Sequence, residues 1–125
     1  MTNNNNTTIS GGTFNGTVKN NSGATITNVS TIFFSFCTVD NKGIISNGTF
    51  GGTVNNYNII SNGIFNGSVD NNGTINNGDF NGGVTNRGTV NGGDFSTATV
   101  SCVENHHIED KPATCKTQAV CKFCG

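Results

Sequence analysis

Apolar positions in this chain recur at a fixed interval of fifteen, not at the two-residue step of a half-buried strand or the 3.6-residue step of a helix. Val39, Val54, Val69 and Val84 form one file, Ile45, Ile60, Ile75 and Val90 a second, and Phe50, Phe65, Phe80 and Phe95 a third. Each coil reads Val, an aliphatic residue six later, Phe five after that, and the next Val four later. Ile9, Phe14 and Val18 fit the same template. From Val18 to Val39 the interval is 21, six residues over, and the excess is placed around 32–37, in an irregular coil near 29–39.

Each apolar residue sits in a short β-favouring triplet such as Thr53, Val54, Asn55 or Asp79, Phe80, Asn81. Between triplets lie Asn-Gly pairs at 47–48, 62–63, 66–67, 77–78 and 81–82. Both residue types tolerate the positive φ of a sharp corner, and their density excludes a helix. The spacing therefore predicts three short strands and three corners per coil, with Val, Ile and Phe pointing inward. A β-meander would also use Asn-Gly turns, but it would not hold the three files in unchanging order. A single coil buries too little to fold alone. Coils stacked about 4.8 Å apart add a ladder of backbone hydrogen bonds.

Stacking also lays polar residues in files. Asn55/Asp70/Thr85, Asn56/Asn71/Asn86 and Asn62/Asn77 are expected to hydrogen-bond along theirs. The fold expected is all-β: a short β-solenoid (parallel β-helix) of 15-residue, three-sided coils over 1–100. The files stop at Phe95, so the chain is expected to leave the repeat through 96–100. Residues 101–125 would form a small Cys/His zinc-knuckle-like appendix that caps the open end of the solenoid.

Composition alone points elsewhere. With 23 Asn and 18 Gly in 125 residues, and 10% charged residues, the chain has the look of a disordered segment. The regular files reverse that reading. A net charge of -1 and isolated basic residues make nucleic acid a poor partner. No apolar stretch is long enough to insert in a membrane as a helix. The first six residues lack the charged and apolar regions of a secretion signal, so the chain is expected to be part of a longer exported, cell-surface protein.

From residue 101 Asn and Gly nearly vanish, and Cys102, His106, His107, Cys115, Cys121 and Cys124 follow within 23 residues. Cys121 and Cys124 with Gly125 make a CxxCG turn, which lets two thiolates reach one metal. A tetrahedral zinc site needs two more ligands. Cys115 is the nearest, and His107, His106 or Cys102 can supply the fourth. Disulfides, such as Cys102 with Cys115, and free thiols are the competing readings. Cys37 stands apart and reads as a buried, inert thiol.

His107, Pro112, Thr114, Cys115, Cys121, Cys124 and Gly125 follow the pattern His…Pro-x-Thr-Cys…Cys-x-x-Cys-Gly. This resembles a Cys/His-rich repeat of large surface proteins from anaerobic Gram-positive bacteria. The Asn/Gly-rich array preceding it is similar to the solenoids of the same class. The resemblance implies a structural zinc on His107, Cys115, Cys121 and Cys124.

Enzymatic chemistry finds little to work with. Polysaccharide-cleaving solenoids cluster Asp, Arg or Lys on one face, whereas this array holds only Lys19, Asp40, Lys42, Asp70, Asp79, Arg87 and Asp94. Asp79 and Asp94 share a file and could hold Ca²⁺, although a solvated coil end is the simpler reading. No nucleophile has an oriented base. The expectation is a non-enzymatic structural or adhesive module, a stiff spacer with polar Asn/Thr faces. The rivals are glycan or ice binding by a flat face, and self-association into filaments. Ice binding would want two regular Thr files, but Thr17, Thr38, Thr53, Ser68 and Gly83 decay.

Overall fold

Val54 and Asn56 lie two apart on one strand, so both side chains point to the same side of it. That side is the interior. The chain repeats this strand and two shorter ones in every coil, as seen in a computed structural model that describes residues 1–31 and 37–102. The result is a parallel β-solenoid of about six turns, with no helix among the described residues.

Three parallel sheets run along its axis. The first face is built from Thr2–Asn3, Val18–Asn20, Thr38–Asn41, Thr53–Asn56, Val69–Asn71, Gly83–Asn86 and Thr99–Cys102. The second comprises Thr8–Ser10, Thr25–Thr27, Ile44–Ile45, Ile59–Ile60, Thr74–Ile75 and Thr89–Val90. The third comprises Thr13–Phe14, Val29–Thr31, Gly48–Phe50, Ile64–Phe65 and Asp79–Phe80. Residues fifteen apart are register partners: Val54 with Val69, Ile60 with Ile75, Phe65 with Phe80. The expected files are therefore real stacks.

The interior holds four files rather than three. Val, Ile and Phe are buried as expected, and the rings of Phe50, Phe65, Phe80 and Phe95 stack nearly parallel with centroids 5.0, 4.8 and 4.5 Å apart. The fourth file is polar. Asn3, Asn20, Asn41, Asn56, Asn71 and Asn86 are all buried, and each of the first five donates its side-chain amide to the carboxamide oxygen of the next at 2.7–2.8 Å. The outward file continues as expected only in part: Asn55 donates to Asp40 at 2.8 Å, whereas Asn62 and Asn77 are simply exposed.

Two glycine files make the corners. Gly48, Gly63, Gly78 and Gly93 have φ between +124° and +147°, which side-chain-bearing residues rarely adopt. Gly67 and Gly82 instead lie against the coil before, where an added Cβ would sit 2.1 and 2.3 Å from the carbonyl oxygens of Gly52 and Gly67.

The early coils are wider, and two of the six extra residues lie outside the stretch where the sequence places the excess. Asn3 pairs with Asn20, Asn20 with Asn41 and Asn41 with Asn56, giving intervals of 17, 21 and then 15. From Asn41 to Ile45 is four positions, but from Asn20 to Ile26, as from Asn3 to Ile9, it is six. Two extra residues therefore form a hydrogen-bonded turn at this corner, closed by Ala24 N–H to the Asn21 carbonyl at 3.0 Å and by Thr7 N–H to the Asn4 carbonyl at 3.2 Å. The remaining four of the six lie between Ile26 and Val39, a stretch that includes 32–36, outside the described residues.

The chain also stays in the solenoid past Phe95. Thr99–Cys102 adds a seventh strand to the first face, with Val84 opposite Val100 and Asn86 opposite Cys102. The interval there is sixteen. One extra residue broke the files without ending the stack.

Candidate functional site

Alternation on the first face decides which residues meet solvent. With Val and Asn inward, each strand turns its neighbours outward in three files: Thr17, Thr38, Thr53, Ser68; then Lys19, Asp40, Asn55, Asp70, Thr85; then Asn21, Lys42, Tyr57, Asn72, Arg87. Five of the seven charged residues of the array thus lie on one face, with only Asp79 and Asp94 on the third. The sequence scatters these charges over 69 positions, from 19 to 87; the winding gathers them.

The face has two unlike halves. Toward the C-terminal end, Arg87 pairs with Asp70, which also accepts from Asn72. Toward the N-terminal end, Lys19, Asn21, Asp40, Lys42 and Tyr57 line a depression of about 550 Å³. Lys19 lies in register opposite Asp40 across adjacent strands. The Asp40 carboxylate is held by Asn55, and neither Lys19 nor Lys42 forms an ion pair among the described residues. Tyr57 is 52% exposed.

The backbone under this depression is fixed. Asn21, Lys42 and Tyr57 each directly follow a member of the buried amide ladder, Asn20, Asn41 and Asn56. The sequence did not single out these residues as a group, because Tyr57 stands in no repeated motif and the 21-residue step hides that Lys19 and Asp40 are neighbours.

Asp79 and Asp94 do stack, as a parallel bridge on the third face. The Ser96 backbone N–H donates to the Asp94 carboxylate at 2.9 Å and holds its pKa below the ordinary aspartate value. The two carboxylates are exposed, and the described residues contain no group of three or more potential metal ligands. The second face offers Thr8, Thr25, Thr74 and Thr89, but Ile44 and Ile59 interrupt that file. No regular Thr lattice arises there.

Cys37 is buried, its sulfur 3.8 Å from the Phe14 carbonyl oxygen. His106, His107, Cys115, Cys121 and Cys124 lie outside the described residues, and of Cys102 only the backbone register is described. No protein-family model matches the chain, and no curated protein or solved structure matches it.

Proposed function

We propose that the chain is a non-enzymatic structural and adhesive module, a stiff rod set within a longer surface protein. The observation that carries this reading is the continuity of the interior. One amide ladder from Asn3 to Asn86 and one ring stack from Phe50 to Phe95 run along the axis without a gap. From Asn3 to Asn86 each coil is tied to the next by backbone and amide contacts, and from Phe50 to Phe95 by ring contacts as well, so bending the axis strains all of them together. Seven strands on one face give a length of about 29 Å at the usual parallel spacing. An enzyme would need positioned acid, base or nucleophile groups. Here the exposed carboxylates Asp79 and Asp94 face water as neighbours in one file.

The Cys/His pattern at residues 107–124 supports a zinc-holding appendix, with His107, Cys115, Cys121 and Cys124 as ligands and His106 or Cys102 as the substitutes for the fourth.

Pulling single molecules between the two ends tests the rod. A load-carrying rod resists and then unfolds in one cooperative step. Gradual extension at low force, coil by coil, would overturn the reading.

A further inference from the structure

The two halves of the first face differ in a way a plain spacer does not need. We infer that the depression lined by Lys19, Asn21, Asp40, Lys42 and Tyr57 is a binding site for an acidic oligosaccharide, one bearing uronic acid residues. The inference rests on the adhesive half of the reading above and not on the mechanical half.

Three properties converge on that ligand. The first is an aromatic ring left in solvent. The file that holds Tyr57 otherwise carries Asn21, Lys42, Asn72 and Arg87, all polar. An exposed phenol beside a concavity offers a flat apolar platform to the C–H face of a sugar ring, with a hydroxyl at its tip for a polar contact.

The second is unneutralised positive charge. Arg87 is paired with Asp70 on the same face, while Lys19 and Lys42 keep their ammonium groups unpaired among the described residues. They flank the depression from adjacent coils and raise the local potential of a chain whose net charge is -1. A carboxylate between them gains charge-assisted hydrogen bonds.

The third is the acceptor in the middle. Asp40, held by Asn55, accepts from sugar hydroxyls, and the Asn21 amide offers both donor and acceptor. Asp40 also repels a densely charged strand, which argues against a phosphate backbone, where affinity comes from many cations together. A sugar chain alternates hydroxyls with well-separated carboxylates and suits both the lysines and Asp40. The volume of about 550 Å³ lies within the usual range of small-ligand sites. The amide ladder directly beneath fixes the spacing of the three coils in advance, so little ordering is left to binding.

Calorimetric titration of the full chain tests the site, with a uronic-acid tetrasaccharide, the matching neutral tetrasaccharide and inorganic phosphate as probes. The acidic sugar is expected to bind saturably, about tenfold more tightly than either of the others. Tyr57→Ala and the double variant Lys19→Gln/Lys42→Gln should each weaken it about tenfold, while Arg87→Gln, outside the depression, leaves it unchanged. Thermal melts of the variants should match that of the parent, since all four side chains are on the surface. The site is refuted by no saturation up to about 10 mM, by equal affinity for the neutral sugar, or by binding that survives both Tyr57→Ala and the double lysine change. In any of these cases, cooperative resistance to pulling would leave the rod intact. Loss of that resistance, with sugar binding retained, would sink the rod alone.

Discussion

Asn56 donates its side-chain amide to the carboxamide oxygen of Asn71 across 2.7 Å, inside an interior that neither side chain leaves. The contact is one rung of five, all pointing the same way along the axis. Asn71 is fully satisfied there. Its oxygen also accepts from the Gly73 N–H at 3.3 Å, and its amide also donates to the carbonyls of Gly73 and Thr89 at 3.2 and 3.4 Å. At the N-terminal end the Asn3 oxygen accepts from the Thr7 hydroxyl at 2.7 Å, which closes the ladder. A buried polar file with every group paired specifies register, because a shift of one residue would turn Val and Asn out to solvent, bring Lys19, Asp40 and Asp70 inward and break the rungs.

Replacing Asn71 by Ala breaks two rungs and leaves the Asn56 amide and the Asn86 oxygen short of partners. Urea unfolding should show a loss of about 2–4 kcal/mol. Asn71→Asp adds a pH signature. Its carboxylate faces the Asn86 oxygen and is buried, so its pKa in the folded state is raised above the unfolded value. The stability of that variant is therefore greatest on the acid side and is lost as pH rises through the folded pKa, a trend that Asn71→Ala should not show.

Glycines at the corners are not equivalent. An added Cβ at Gly67 would sit 2.1 Å from a backbone oxygen of the neighbouring coil, whereas at Gly16 nothing lies within 4 Å. Gly67→Ala should lower stability by about 3 kcal/mol or more, and Gly16→Ala by less than about 0.5 kcal/mol. Comparative thermal melts check both. Equal effects would show that the coils are not in contact at that corner.

Phe65 is stacked between two rings and wholly buried. Phe65→Ala should cost about 3–5 kcal/mol, and Phe65→Leu clearly less, in the same urea measurement.

The tail gives a prediction independent of the solenoid. Purified protein is expected to carry about one equivalent of zinc, lost on Cys121→Ser. Metal analysis with thiol counting checks this: under half an equivalent of zinc with four blocked thiols would make the tail a disulfide module.

How much of this was legible in the sequence depends on what each residue type can signal. Val54, Ile60 and Phe65 repeat at fifteen and reveal the stack, because only burial demands the same apolar residue at each turn. The Asn56, Asn71 and Asn86 file was equally visible, but its inward direction was not drawn from it, since Asn is as common at a corner as in a ladder. The usable signal was the two-residue step from Val54 to Asn56, which puts both on one side of the strand. The two extra residues at the corner between Asn20 and Ile26 are not legible, because polar corners carry no burial pattern to count. The strand Thr99–Cys102 was missed because a single extra residue shifted its file. The depression around Tyr57 had no motif at all: its members meet only once the chain is wound.

The most direct test of the stacked interior is nuclear Overhauser contact between side-chain amide protons in labelled protein. The expected result is a chain of cross-peaks joining Asn41 to Asn56, Asn56 to Asn71 and Asn71 to Asn86, with slow solvent exchange of all four carboxamides. Carboxamides that exchange at free-solvent rates, or that show contacts only to their sequence neighbours, would contradict it.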